Sequence, residues 1–142
     1  MAKPEVHNAI LLAENNLQSI LLKESIEQKV NLNIKLISPE RLNVNSLQNQ
    51  DLELIVIDFP TMSKQCIERY QELRDGVESD VHEVLLNTPH DFPHSEMLKW
   101  QSLIGIFYAS DTLEKLVSGF NCILQGEMWM SRKLIYQYIS FY

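Results

Sequence analysis

The chain has 142 residues, 45% of them hydrophobic and 22% charged, which is the composition of an ordinary globular protein of one domain. Its apolar runs, such as residues 54–57, fall far short of the roughly 20 residues that cross a bilayer, and the N-terminal stretch lacks the basic cluster and apolar length of a signal peptide. With 12 basic against 19 acidic residues the net charge is −7, so no broad phosphate-binding face is expected, and any anion taken up should be small and held locally. Two cysteines, Cys66 and Cys122, are too few for a disulfide framework. Both are expected to be reduced packing residues of a cytoplasmic protein.

In chain order, residues 9–13 form a continuous apolar run, ended by the polar Glu14, Asn15 and Asn16. Leu17, Ile20, Leu21 and Ile26 then fit one broad apolar helical face. Residues 33–37 alternate and predict a strand, and residues 52–57 predict a stronger one that ends in Asp58. Residues 63–74 predict an amphipathic helix rich in polar side chains. A strand over 84–86 leads into Asn87, Thr88 and Pro89. Residues 90–101 contain Pro93 and predict a poor or short helix. Residues 104–108 predict the fifth strand, and Leu113, Leu116, Val117, Phe120 and Leu124 predict a helix over 112–125. Continuous apolar strands alternating with helices indicate a parallel sheet covered on both faces, a doubly wound α/β domain.

A sixth helix follows. Gly126 and Glu127 should stop the fifth helix, and Ser131 is a good N-cap for the next. Leu134, Ile135, Tyr138, Ile139 and Tyr142 form an apolar stripe on it, with no evident place on a sheet whose faces are already covered. Such a stripe suggests a dimer interface. The abrupt aromatic end suggests a domain excised from a longer protein.

Ligands of open α/β sheets sit at the carboxyl ends of the strands, which here carry Glu14, Asp58, Asn87, Thr88 and Tyr108. This layout resembles the receiver domain of bacterial response regulators, a flavodoxin-like fold with strand order 2-1-3-4-5. In that family an acidic pair binds Mg²⁺, an Asp after the third strand accepts phosphate and a Lys ends the fifth strand. The resemblance places Asp58 at the acceptor position, but the acidic pair has become Glu14 and Asn15, and no basic residue stands at 108–110. Mg²⁺ needs hard oxygen ligands and the phosphoryl group needs a cation, so a degenerate, unphosphorylated receiver with Asp58 and Glu14 as vestiges is expected. The alternatives are a conventional phosphorylated receiver and a merely solvated strand-end carboxylate. His90, Asp91, His94 and Glu96 crowd together, but Pro93 interrupts the helix that would align them, and a solvated loop without metal is expected.

The segment Trp129, Met130, Ser131 and Arg132 carries the most specific signal. In regulators joined to a LuxR-type DNA-binding domain, an aromatic that packs and a Ser-Pro that starts a helix commonly stand here. In this chain Arg132 replaces the proline and Lys133 follows, so two cations oppose the helix dipole at about 0.3–1 kcal/mol each. Free N–H groups at the same place favour an anion. Trp129 can stack a base, and Arg132 can pair with a guanine edge.

The motif, together with the stretches 85–93 and 105–108, resembles the VpsT-like branch of the CsgD/VpsT family, transcriptional regulators of biofilm matrix genes. The resemblance implies cyclic di-GMP as ligand, held by Trp129, Met130, Ser131 and Arg132; the alternative is a CsgD-like dimerisation domain that binds no ligand. It also implies a homodimer through the sixth helix at Ile139, with Ile135 and Tyr138 on the same stripe, and DNA binding through a C-terminal helix-turn-helix domain that this chain lacks. Neither enzymatic activity nor a membrane partner is expected. A basic residue that assists the ligand in the best-known member is replaced by Ser118, and Lys115 and Lys133 are the candidates to substitute for it. The expected organisation is a degenerate receiver over 1–125 and the ligand motif with the dimerisation helix over 126–142.

Overall fold

The computed structural model describes residues 6–49, 51–77 and 80–140, without the side chains of His94, Tyr138 and Ser140. Five parallel strands, β1 (His7–Leu12), β2 (Leu32–Ile37), β3 (Leu52–Asp58), β4 (His82–Thr88) and β5 (Leu103–Tyr108), lie in the order β2-β1-β3-β4-β5. The sheet and its order match the sequence-based expectation. Between the strands run α1 (Leu17–Lys29), the single turn α2 (Val44–Leu47), α3 (Lys64–Asp75), the single turn α4 (His94–Met97) and α5 (Leu113–Leu124). Helix α6 (Arg132–Ser140) follows them. α2 and a 3₁₀ turn before it were not marked by any pattern in the sequence.

The middle runs of β1, β3, β4 and β5 are apolar because successive side chains enter two cores, whereas the edge strand β2 exposes Asn33 and Lys35. On one face Ile10, Leu12, Ile55, Ile57, Leu85 and Ile106 meet Leu47 of α2, Tyr70 of α3 and Met97 of α4. On the other, Leu11, Leu54, Val56, Val84 and Phe107 meet Ile26 of α1 and Phe120 and Ile123 of α5. Asn16, Ser63 and Thr112 start α1, α3 and α5, each accepting a hydrogen bond from the N–H three residues on.

Two faces differ from expectation. On α1 the buried residues are Ser19 and Ile26, with Leu22 packed beside them, while Leu17, Ile20 and Leu21 are exposed. Apolar residues surround this helix, so spacing alone did not select the inward side. On α6 the stripe is divided. Because α4 is only one turn long, the sheet face beside it has room, and Leu134 is buried there in the cluster that contains Met97, Trp100 and Ile106. Ile135 is half-buried, and Ile139 stays 63% exposed. Tyr142 and the side chain of Tyr138 lie outside the described residues.

The first core encloses a charged group that no sequence pattern announced. Glu83 is fully buried, accepts a hydrogen bond from the Tyr70 hydroxyl and another from Ser102 N–H at 2.7 Å, and lies 3.6 Å from Arg74 Nε. Arg74, 2% exposed, donates to Val81 O at 3.1 Å. Burial, then the Glu83 charge, pushes the Tyr70 phenol well above its usual pKa, so the hydroxyl stays a donor. Removing one partner of such a pair strands the other in the core. Arg74→Ala should therefore cost about 3–5 kcal/mol in urea unfolding.

At the outer edge of the sheet, Glu27 accepts from the Ile34 N–H of β2 at 2.9 Å and from Lys23 Nζ at 2.9 Å. Partial burial would raise the Glu27 carboxyl, but these donors outweigh it and hold the pKa below the usual value. A depressed carboxyl stabilises the fold at neutral pH, and that contribution disappears as the pH falls through the ordinary glutamate range to the lower folded-state value. Thermal melts should show wild type losing more stability than Glu27→Gln over that acid window.

Candidate functional site

The site is assembled where α5 ends. Gly126 takes φ +91°, a left-handed conformation suited to glycine, Gly126 N–H donates to Ile123 O at 3.0 Å and Glu127 N–H to Cys122 O at 3.0 Å. This double closure turns the chain back along the open edge of the sheet. There Trp129 N–H donates to Ile104 O at 2.8 Å, and Ile106 N–H donates to Trp129 O at 2.7 Å. Trp129 thereby makes a one-residue parallel bridge to Gly105 of β5.

The indole is half-buried. It lies over Phe107, with ring centroids 6.1 Å apart and planes 28° from parallel, and Phe107 in turn packs on Phe120. Gly119 of α5 makes this possible, since a Cβ there would come within 2.3 Å of the Phe107 ring and 2.9 Å of the indole. The packing role expected of an aromatic at this position is therefore present, and part of the ring remains available.

Beside the ring opens a cleft of about 440 Å³ whose walls include Trp129, Met130, Ser131, Tyr108, Asp111 and Lys115. Ser131 caps α6, its Oγ accepting from Leu134 N–H at 3.2 Å. Arg132 and Lys133 occupy the first turn of α6, both exposed, and among the described residues neither forms an ion pair and no acceptor meets their backbone N–H groups. Arg132 stands outside the cleft wall, and Ser118, exposed on α5 between Lys115 and Cys122, is not one of its lining residues.

Lys115 is the cation that reaches the cleft. Its Nζ is 3.7 Å from Asp111 Oδ1, while Asp111 Oδ2 accepts Tyr108 N–H at 2.7 Å. Burial, with the Glu127 carboxylate beside it, raises the Cys122 thiol, so this cysteine of the wall is a poor nucleophile. Cys66 is half-buried against the first core.

A second cleft, of about 680 Å³, lies at the strand ends and is lined by Glu14, Asp58, Asn87 and Asp111 among others. Asp58 is not simply solvated. Its Oδ2 accepts from Thr61 Oγ1 at 2.6 Å and its Oδ1 from Asn87 Nδ2 at 2.9 Å. Asn87 reaches it from a left-handed conformation, φ 55°, a region that asparagine tolerates better than most residues. Glu14 is exposed, and Thr88 Oγ1 is buried with no hydrogen-bond partner among the described residues. His90 stacks on Tyr108, with centroids 5.1 Å apart, and its Nε2 is 2.7 Å from Ser110 Oγ, so this ring belongs to the loop packing.

Sequence reasoning found the motif but not its surroundings. Tyr108 was marked only as a strand end, while Asp111 of the cleft wall, the fitting of Gly119 and the clamp of Thr61 and Asn87 on Asp58 carry no local signature, because they depend on how α5 and the strand ends meet. The tight fit at Gly119 has a direct test. Gly119→Ala should lower unfolding stability by about 1–3 kcal/mol, read by chemical denaturation, because Phe107 and Trp129 must both move.

Residues 11–132 match the VpsT-like receiver domain family. The probable csgAB operon transcriptional regulatory protein of Salmonella typhimurium (strain LT2) is 32% identical over 129 residues, covering 90% of this chain and 58% of that protein. The CsgBAC operon transcriptional regulatory protein of Escherichia coli (strain K12) is 26% identical over 128 residues, with the same coverage. The crystal structure of the regulatory domain of the master biofilm regulator CsgD superposes with a TM-score of 0.84 at 29% identity, covering 94% of this chain and 99% of that one. This chain therefore spans a little over half the length of the curated relatives it matches. Matched over most of its length and sharing the sheet order of the receiver fold, it belongs to the VpsT-like receiver domain family.

Proposed function

We propose that this chain is the sensing portion of a transcriptional regulator of biofilm matrix genes, and that it binds cyclic di-GMP and dimerises without catalysing a reaction. The observation that carries this reading is the junction itself: Trp129, tied to the sheet edge, stands two residues before a helix whose first turn offers Arg132 and Lys133. A guanine can stack on the available part of the indole. The Arg132 guanidinium can pair bidentately with a guanine edge, and a phosphate at the helix N-terminus neutralises two cations that otherwise oppose the dipole. Ser131 holds that terminus in place as its cap.

Because Arg132 lies beyond the cleft wall, one ligand molecule has to extend out of the cleft over the start of α6. Cyclic di-GMP is two-fold and carries a guanine at each end, which suits a junction formed by two copies. The exposed Ile139, with Ile135 half-buried beside it, supplies an apolar surface on the same helix for the second copy. DNA contact would belong to a further domain, as in regulators of this kind, since a chain of net charge −7 is poorly suited to hold a phosphate backbone.

Phosphotransfer is the weaker reading. Thr61 and Asn87 occupy both oxygens of Asp58, no lysine stands at 108–110, and Asn15 replaces the second acid beside Glu14. A stoichiometric phosphoryl adduct after incubation with Mg²⁺ and a small phosphodonor, absent from Asp58→Ala, would reverse that ranking.

Calorimetry with cyclic di-GMP tests the ligand. Arg132→Ala should keep its thermal melt yet bind roughly ten- to a hundredfold more weakly, the loss of a charge-assisted contact worth about 1.5–3 kcal/mol. Unchanged affinity would remove Arg132 from the site. Sedimentation tests the assembly: ligand should promote the dimer, and Ile139→Glu should weaken both dimerisation and ligand binding, since linkage couples them in each direction. A folded Ile139→Glu variant that still dimerises on adding ligand would defeat the proposal.

A further inference from the structure

The cleft beside Trp129 has an unusual electrostatic balance for a site meant for a phosphodiester. Among the described residues, two carboxylates, Asp111 and Glu127, line it, against one cation, Lys115. The Lys115 side chain is 62% exposed, whereas the Asp111 side chain is 7% exposed and accepts a hydrogen bond from Tyr108 N–H. The carboxylate is the tether and the lysine is the arm. Asp111 also lines the cleft of Asp58 and Glu14, so it forms part of the wall between the two.

We infer that Asp111 is a negative regulator of the nucleotide site, holding Lys115 back until a ligand phosphate displaces its carboxylate. The inference rests on the cyclic di-GMP reading and deepens it. The tether is weak by construction: at 3.7 Å, with the lysine side chain largely in solvent, the pair contributes little net stability, so a phosphate that accepts directly from the ammonium can outcompete it. Asp111 touches no ligand in this scheme and acts through Lys115, which makes it a positioning residue. Glu127, on the same wall, repels an anion through space but has no ion pair with Lys115, and so it serves as the internal comparison.

The test is a thermodynamic cycle read by calorimetry with cyclic di-GMP. Asp111→Asn retains an oxygen to accept Tyr108 N–H while releasing the lysine, and it should raise affinity about two- to fivefold. Lys115→Ala should lower affinity about five- to tenfold. In the Lys115→Ala background, Asp111→Asn should lose its advantage and gain no more than Glu127→Gln does in the same background. Equal gains from Asp111→Asn with and without Lys115 would overturn the inference while leaving the nucleotide reading intact. Wild-type protein that binds no cyclic di-GMP would overturn both, and thermal melts of each variant separate loss of fold from loss of binding.

Discussion

The candidate site hangs on two backbone hydrogen bonds, those that join Trp129 to Ile104 and Ile106 at the open edge of β5. Each contributes only about 1 kcal/mol net, but together they fix the segment after α5 in register with the sheet. The register aims the indole at Phe107, sets Ser131 where it caps α6 and points Leu134 into the gap beside the short α4. The same bridge covers part of an edge that would otherwise present unpaired donors and acceptors to solvent. One residue of strand therefore organises the cleft, the helix start and the packing of the helix.

Around that anchor the charges are placed sparingly. The chain as a whole repels anions, with a net charge of −7, and few cations stand near the cleft. Arg132 and Lys133 are outside the cleft and Lys115 inside it, near a carboxylate that competes for it. At the strand ends Asp58 has become part of a hydrogen-bonded clamp that joins β3 to β4 through Thr61 and Asn87. A carboxylate that serves phosphorylation in receivers is here engaged in holding the loops that border the second cleft. The geometry moves the centre of interest from the strand ends to the sheet edge.

The sheet was legible because its inner strands are buried on both faces and so appear as unbroken apolar runs, as in residues 54–57, while the edge strand β2 alternates. Helix α5 was legible because its apolar residues recur on one side, and its end because Gly126 and Glu127 complete the closing turn. α1 forms where the sequence places a helix, but its inner face was not legible because leucines and isoleucines lie all round it, and only the tertiary structure selects Ser19, Leu22 and Ile26. The α6 stripe was half right: it is apolar, but Leu134 belongs to the core because a one-turn α4 leaves space that spacing rules do not reveal. The buried trio of Tyr70, Arg74 and Glu83 was invisible for the opposite reason, since charged residues in sequence suggest surface. Of the site, Trp129 to Arg132 could be found from chemistry and resemblance, while Gly119 and Asp111 gain meaning only where α5 crosses β5.

The two tryptophans stand in contrasting surroundings. Trp100 is 2% exposed in the first core, 5.8 Å from the Tyr70 ring, and Trp129 is half-buried on the other face beside the cleft. An indole shut away from water emits at shorter wavelength than one that borders solvent, so the intrinsic fluorescence of this protein divides into a constant blue component and a redder component that belongs to the motif. Anything that covers Trp129 changes the second and spares the first, and loss of the fold changes both. The arrangement gives the chain an internal reference against which events at the sheet edge can be seen without any label.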